Sequence, residues 1–191
     1  SIFAPPGVLA GTMLGVGAEH ARRARDLPYM AMFGGLIHDE NNGSIHRALG
    51  REPFVAYRMS RGDRGKVNRL LRTVADDFFA AGAREVHLPI LGQEPLTADQ
   101  FRSFPLEKVS ARRFECASQH PLGTCRMGVR PGSSVVDPDG QSWELKELFV
   151  VDGSVLPTSL GVNPQLSVMA MATRLAWKLR ERKLPTVRAT A

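Results

Sequence analysis

The stretch that most restricts how this 191-residue chain can fold runs from Leu148 to Arg182. It opens with four consecutive apolar residues, Leu148, Phe149, Val150 and Val151, which end at Asp152-Gly153. A short uninterrupted apolar run of this kind predicts a strand buried on both faces. In open α/β sheets, ligands collect beyond the carboxyl ends of such strands. Further on, Asn163 stands directly before Pro164 and a long helical pattern. Asparagine is a favoured N-cap and proline suits the first helical position, so a helix is expected from Pro164 to about Arg182. Leu166, Val168, Met169, Met171, Leu175 and Trp177 make it apolar nearly all round over its first turns. Such a helix expects burial on several sides. Its start would offer unpaired N–H groups and the positive end of a dipole to whatever lies above it.

A second segment, Ser118 to Gly128, reads SQHPLGTCRMG and places one histidine in a loop built from turn-forming residues. Taken together, HPLGTCRMG, then DG, then GVNP and a small-residue helix resemble the carboxy-terminal signature of the glucose-methanol-choline (GMC) flavin oxidoreductases. Cholesterol and alcohol oxidases belong to that family. The resemblance is continuous over residues 118–172. It implies that His120 and Asn163 face the flavin and the substrate hydroxyl, with FAD as cofactor and a small-molecule alcohol as substrate. It also implies that the backbone at Asp152 and Gly153 approaches the pyrophosphate or ribityl region, and that Pro164 and Gln165 lie beside the isoalloxazine. Imidazole titrates near neutrality, which suits His120 to accept a hydroxyl proton. Each residue also has a plainer reading. His120 can be a loop histidine satisfied by backbone, Asn163 a helix N-cap, and Asp152-Gly153 the tight turn that ends a strand.

The upstream chain supplies the rest of the architecture. A helical pattern from Leu9 to Arg25 is interrupted by glycines, which weaken helix interiors. Tyr29 to His38, bounded by the polar DENNGS, predicts a strand. Ser44 to Leu49 and Pro53 to Met59 predict two more, and their short polar connection implies antiparallel pairing. From Asp63 onward, Val67, Leu70, Leu71, Val74, Ala75 and Phe78 form one apolar stripe that Gly82 is placed to end. Arg84 to Leu88 then predicts a strand, Thr97-x-x-Gln100 a capping box, and Asp137-Pro138-Asp139-Gly140 a turn between Ser134–Val136 and Ser142–Leu145. The expected fold class is α+β: a mainly antiparallel sheet covered by helices, plus the last strand and helix of a flavin-binding α/β domain. Residues 1–117 read as a substrate-binding region, and 118–191 as a carboxy-terminal, flavin-facing segment.

A flavin enzyme of this kind should carry a GxGxxG turn with an acidic residue some 20 positions on. Gly11 to Gly17, GTMLGVG, has the wrong spacing. The expectation is therefore that an amino-terminal FAD-binding Rossmann domain lies outside these residues, on the same or another chain, and that the isolated segment is inactive. Composition is that of an ordinary globular protein, 43% hydrophobic and 23% charged. The start lacks the basic head of a secretory leader and no apolar run reaches transmembrane length, so a soluble chain is expected. Cys116 and Cys125 have neither metal-type spacing nor the numbers of a disulfide framework, so free thiols and a cytoplasmic setting are expected. His20, His38, His46 and His87 form no ligand pattern, and no metal is expected. The net charge of +6 is scattered along the chain without a nucleic-acid motif. A basic binding module is thus the weakest of the alternatives, behind a non-catalytic remnant or subunit that acts through a partner chain.

Overall fold

The computed structural model describes residues 10–11, 13–40, 43–47 and 50–182. In chain order the principal elements are α1 (Gly17–Ala24), β1 (Ser44–Arg47), β2 (Pro53–Ala56), α2 (Arg61–Ala80), β3 (Glu85–Val86), β4 (Leu96–Thr97), α3 (Ala98–Ser103) and α4 (Gln165–Glu181). Two compact units divide the chain: Ser1–Ile37 with Arg58–Ala117, and His38–Tyr57 with Ser118–Ala191. The architecture is mixed, and the described residues form helices and two small antiparallel sheets in place of one extended sheet.

The first unit is organised by α2. Ser60 caps it: its hydroxyl accepts from the Asp63 amide at 2.9 Å and donates to the fully buried Asp63 carboxylate at 2.7 Å. The expected stripe packs as it should. Val67 and Ala75 are buried in one cluster with Val86, Leu88, Ile90, Leu96, Phe101, Leu106, Val109 and Phe114, while Leu71 and Phe78 close its edge. Gly82, just past the helix, takes φ +91°. The strand expected at Arg84 to Leu88 shortens to β3, paired with β4 through Glu85↔Thr97 and Val86↔Leu96. In this register the next partner of His87 is Pro95, which has no N–H to extend the ladder. The capping box forms: Gln100 Oε1 accepts from the Thr97 amide at 2.9 Å and opens α3.

Two expectations in this region change. Over Leu9 to Arg25 the regular helix is α1; Gly15 and Gly17 adopt φ +106° and +60°, and Val16 between them is extended, which delays the helix. Leu9 and Thr12 lie outside the described residues. Tyr29 to His38 forms no strand: Leu27–Tyr29 is a 3-10 turn and residues 30–40 are irregular. No neighbouring strand is present among the described residues to receive its backbone groups. Tyr29 and Phe33 are accordingly 92% and 62% exposed.

In the second unit, β1 and β2 pair antiparallel with Ile45↔Val55 and His46↔Phe54. The second strand stops at Ala56, short of the expected Met59, and Leu49 lies outside the described residues. The DPDG turn forms as expected: the Gly140 amide donates to the Asp137 carbonyl at 3.0 Å, and Asp137 Oδ1 accepts from the amides of Asp139 and Gln141. Only single bridges flank it, Val136↔Ser142 and Gln141↔Phe149.

The doubly buried strand expected at Leu148 to Val151 is not formed. Phe149 makes its one antiparallel bridge, and Leu148 and Val151 are 46% and 39% exposed. A parallel buried strand requires a neighbour on each side, and the described residues supply one bridge on one side. The multi-sided burial expected of the closing helix is also absent: in α4 only Leu175 is buried, while Leu166, Met169 and Trp177 stand in solvent. Leu175 reaches Gly140, where a Cβ would meet its Cδ1 at 3.0 Å. Arg174 donates to the Pro138 carbonyl at 2.6 Å, and Arg182 lies 5.2 Å over the Phe149 ring and hydrogen-bonds Gln141. No helix among the described residues is long and apolar enough to cross a membrane.

Candidate active site

Both motif segments fall in the second unit, where backbone hydrogen bonds stitch them together. The Cys125 amide donates to the Ser154 carbonyl at 3.0 Å, and the Met127 amide to the Val155 carbonyl at 2.9 Å. Gly128 continues the contact, donating to Val136 at 3.0 Å. Val155 and Leu156 lie buried beneath this seam. Two glycines permit the close approach. Gly123 has φ +79°, and a Cβ there would meet the Leu156 carbonyl oxygen at 3.4 Å. At Gly153 a Cβ would stand 3.1 Å from Leu122 Cδ2, 3.4 Å from Val168 Cγ2 and 3.9 Å from the Pro121 oxygen. The residue following His120 is therefore beside Gly153, and the first turns of α4 close on the same glycine.

His120 is half-buried in an irregular loop, directly before Pro121. Asn163 does not cap α4. The helix begins one residue later than its sequence suggests: Pro164 holds the cap position at φ −86°, ψ 1°, and its carbonyl accepts from the Val168 amide at 2.8 Å. Proline already satisfies the geometry of a helix start, and it offers no side-chain acceptor. Asn163 is thus left exposed just outside the helix, with its side-chain amide uncommitted to capping. The amides of Gln165, Leu166 and Ser167 precede the first helical hydrogen bond. Pro164 is buried and Gln165 exposed.

Asp152 caps a 3-10 turn, Gly153–Val155, by accepting from the Ser154 amide at 2.8 Å and from the Ser154 hydroxyl. Those two bonds, the hydroxyl first, hold its carboxyl below the usual aspartate range. Cys116 and Cys125 are free thiols; burial, with Glu115 nearby, pushes the Cys116 thiol up. Among the described residues no three His, Cys, Asp or Glu side chains gather as a metal ligand set. One site neighbour has no counterpart in the motifs. Gly161 takes φ +67°, and a Cβ there would stand 3.0 Å from His38 Cβ. A histidine about 120 positions upstream leaves no periodic or spacing signal of that contact.

Comparison with known proteins places this geometry in a family. The family model for GMC oxidoreductases matches residues 49–172. An uncharacterised GMC-type oxidoreductase of Mycobacterium tuberculosis is 34% identical over 172 residues, covering 90% of this chain and 27% of the relative. A long-chain-alcohol oxidase of Arabidopsis thaliana is 34% identical over 149 residues, covering 72% of this chain and 20% of that protein. The crystal structure of pyridoxine 4-oxidase from Mesorbium loti superposes with a TM-score of 0.52 at 30% identity, over 77% of this chain and 29% of its own. The chain thus spans only about a quarter of the length of the first of these relatives. With the motifs, their mutual hydrogen bonds and these similarities in agreement, the chain belongs to the GMC oxidoreductase family.

Proposed function

We propose that this chain is the motif-bearing, carboxy-terminal portion of an FAD-dependent oxidoreductase that oxidises the CH–OH group of a small-molecule alcohol. The observation that carries the reading is the pair of hydrogen bonds from Cys125 and Met127 to Ser154 and Val155. They make one folded piece of the His120 loop and the turn that leads to Asn163. Similarity to a long-chain-alcohol oxidase supports an alcohol as the substrate class.

Roles follow from the chemistry of the groups. An alcohol carbon releases hydrogen with its electron pair only as the hydroxyl gives up its proton. His120 accepts that proton, a contribution of about 10²–10⁴ in rate for a positioned base. Asn163, exposed and free of capping duty, donates a hydrogen bond to the substrate oxygen and holds the carbon in line. The reaction leaves a carbonyl product, with the proton on His120.

The residues present fit a flavin. Three first-turn amides lie beside the exposed side chain of Leu166, combining N–H donors with apolar surface for a flat ring that carries carbonyl oxygens. Asp152, held ionised, would repel a pyrophosphate but suits a ribityl hydroxyl donor, and Gly153 would lie beside it. Bound there, FAD would supply the two-electron acceptor for the hydride. A separate amino-terminal Rossmann domain would hold the dinucleotide end.

Stopped-flow reduction tests the reading. In a full-length flavoprotein carrying this segment, His120→Ala lowers the limiting rate of flavin reduction by about 10² or more and leaves the flavin bound. Reduction at wild-type speed rejects His120 as the base.

A further inference from the structure

The loop from Pro157 to Asn163 joins the 3-10 turn to α4 and ends on the proposed substrate-binding amide. Among the described residues it makes no backbone hydrogen bonds of its own. The last before it runs from the Leu156 amide to Gly153 at 3.1 Å, and the next from the Val168 amide to Pro164 at 2.8 Å. The loop packs closely at two glycines. At its start Gly123 lies against the carbonyls of Leu156 and Pro157, 3.4 and 3.6 Å from where a Cβ would stand. Near its end Gly161, in the left-handed region, sits on His38: a Cβ would be 3.0 Å from His38 Cβ and 3.4 Å from both its Cα and its amide nitrogen. His38 opens the segment His38–Tyr57, which packs with the motif-bearing unit even though its sequence neighbours on both sides belong to the other.

We infer that His38 is a positioning residue for this site: it seats the loop at Gly161 and thereby fixes where Asn163 holds the substrate oxygen. The inference rests on the function proposed above. Its logic is mechanical. A loop with no backbone hydrogen bonds among the described residues takes its position from its contacts, and this contact lies two residues from Asn163. Hydrogen bonds weaken steeply with misalignment. A displacement of about 1 Å at a reacting group can cost about a hundredfold in rate. The seat therefore acts on chemistry more than on stability.

A double-mutant cycle in the full-length flavoprotein tests it, with three readouts: the limiting rate of flavin reduction, the substrate Kd from its saturation, and the melting temperature. Gly161→Ala drives a methyl group against His38 and lowers the limiting rate by about a hundredfold. His38→Gly removes the Cβ and lets the loop relax, lowering the rate by about tenfold and weakening substrate binding. The double variant recovers part of the Gly161→Ala loss, because the clashing Cβ is gone; this non-additivity is the expected signature of a direct contact. Should Gly161→Ala fail to fold, the split between limiting rate and Kd in His38→Gly decides alone. Strictly additive rates, or variants that change only melting temperature, overturn the seat. If Asn163→Ala also leaves the limiting rate unchanged, the site assignment itself has failed and the seat falls with it; an effect at Asn163 without one at His38 or Gly161 overturns the seat alone.

Discussion

Cys125 and Ser154 are joined by a 3.0 Å hydrogen bond from the amide of the first to the carbonyl of the second. Cys125 lies five positions after His120, and Ser154 nine positions before Asn163. This bond and its neighbour, Met127 to Val155, join two distant sequence motifs into one seam. The turn beneath the seam is in turn capped by Asp152 and anchored by the buried side chain of Val155.

Asn163 separates function from stability. Since Pro164 occupies the cap position, Asn163→Ala removes no capping bond, and the usual loss of about 1 kcal/mol for a cap does not apply. The expected outcome is slower flavin reduction at an unchanged melting temperature. A fall in melting temperature without a change in rate would return Asn163 to a structural role.

Leu175 is the one buried residue of α4, packed against Gly140 and so against the 137–150 turn. Leu175→Ala should destabilise the protein by about 2–5 kcal/mol, the range for buried leucine truncations. Urea unfolding followed through the second unit measures it as a shift of the midpoint at constant slope. A midpoint within error of wild type would mean that α4 is held by its arginine contacts instead.

Asp152 gives the site a defined acid response. Its folded pKa is depressed by the Ser154 hydroxyl and amide. The stabilisation is therefore present above the ordinary aspartate range and is lost as pH falls through the lowered folded value. Ser154→Ala removes the hydroxyl donor and should move the carboxyl titration upward toward the ordinary range. The carboxyl carbon resonance, followed from neutral to acid pH, reports it directly; an unmoved titration would show that the amide alone sets the shift.

The 191 residues by themselves should associate and bind FAD weakly. Leu166, Met169 and Trp177 are 80%, 58% and 60% exposed along α4, and apolar patches of this kind drive association. The sequence also has no glycine-rich dinucleotide turn. Size-exclusion chromatography and calorimetry check both points. A monodisperse monomer with micromolar or tighter FAD affinity would contradict them.

The amino-acid sequence by itself determined the features whose causes lie within a few residues of one another. The α2 stripe from Val67 to Phe78, the Thr97–Gln100 capping box and the Asp137–Gly140 turn all formed as read, because a helix face, a cap and a turn each draw on local side chains and backbone. Family membership was legible for the same reason, carried by two short motifs. Tertiary structure decided whatever needed a distant partner. Tyr29 to His38 and Leu148 to Val151 have strand composition, but among the described residues the first has no flanking strand and the second only the Gln141↔Phe149 bridge on one side, too little to build a ladder. Asn163 had the identity of a cap, yet the helix took its first bond from the carbonyl of Pro164, and that one-residue shift freed its amide. The seating of Gly161 on His38 joins residues 123 positions apart, a contact that only the folded chain creates.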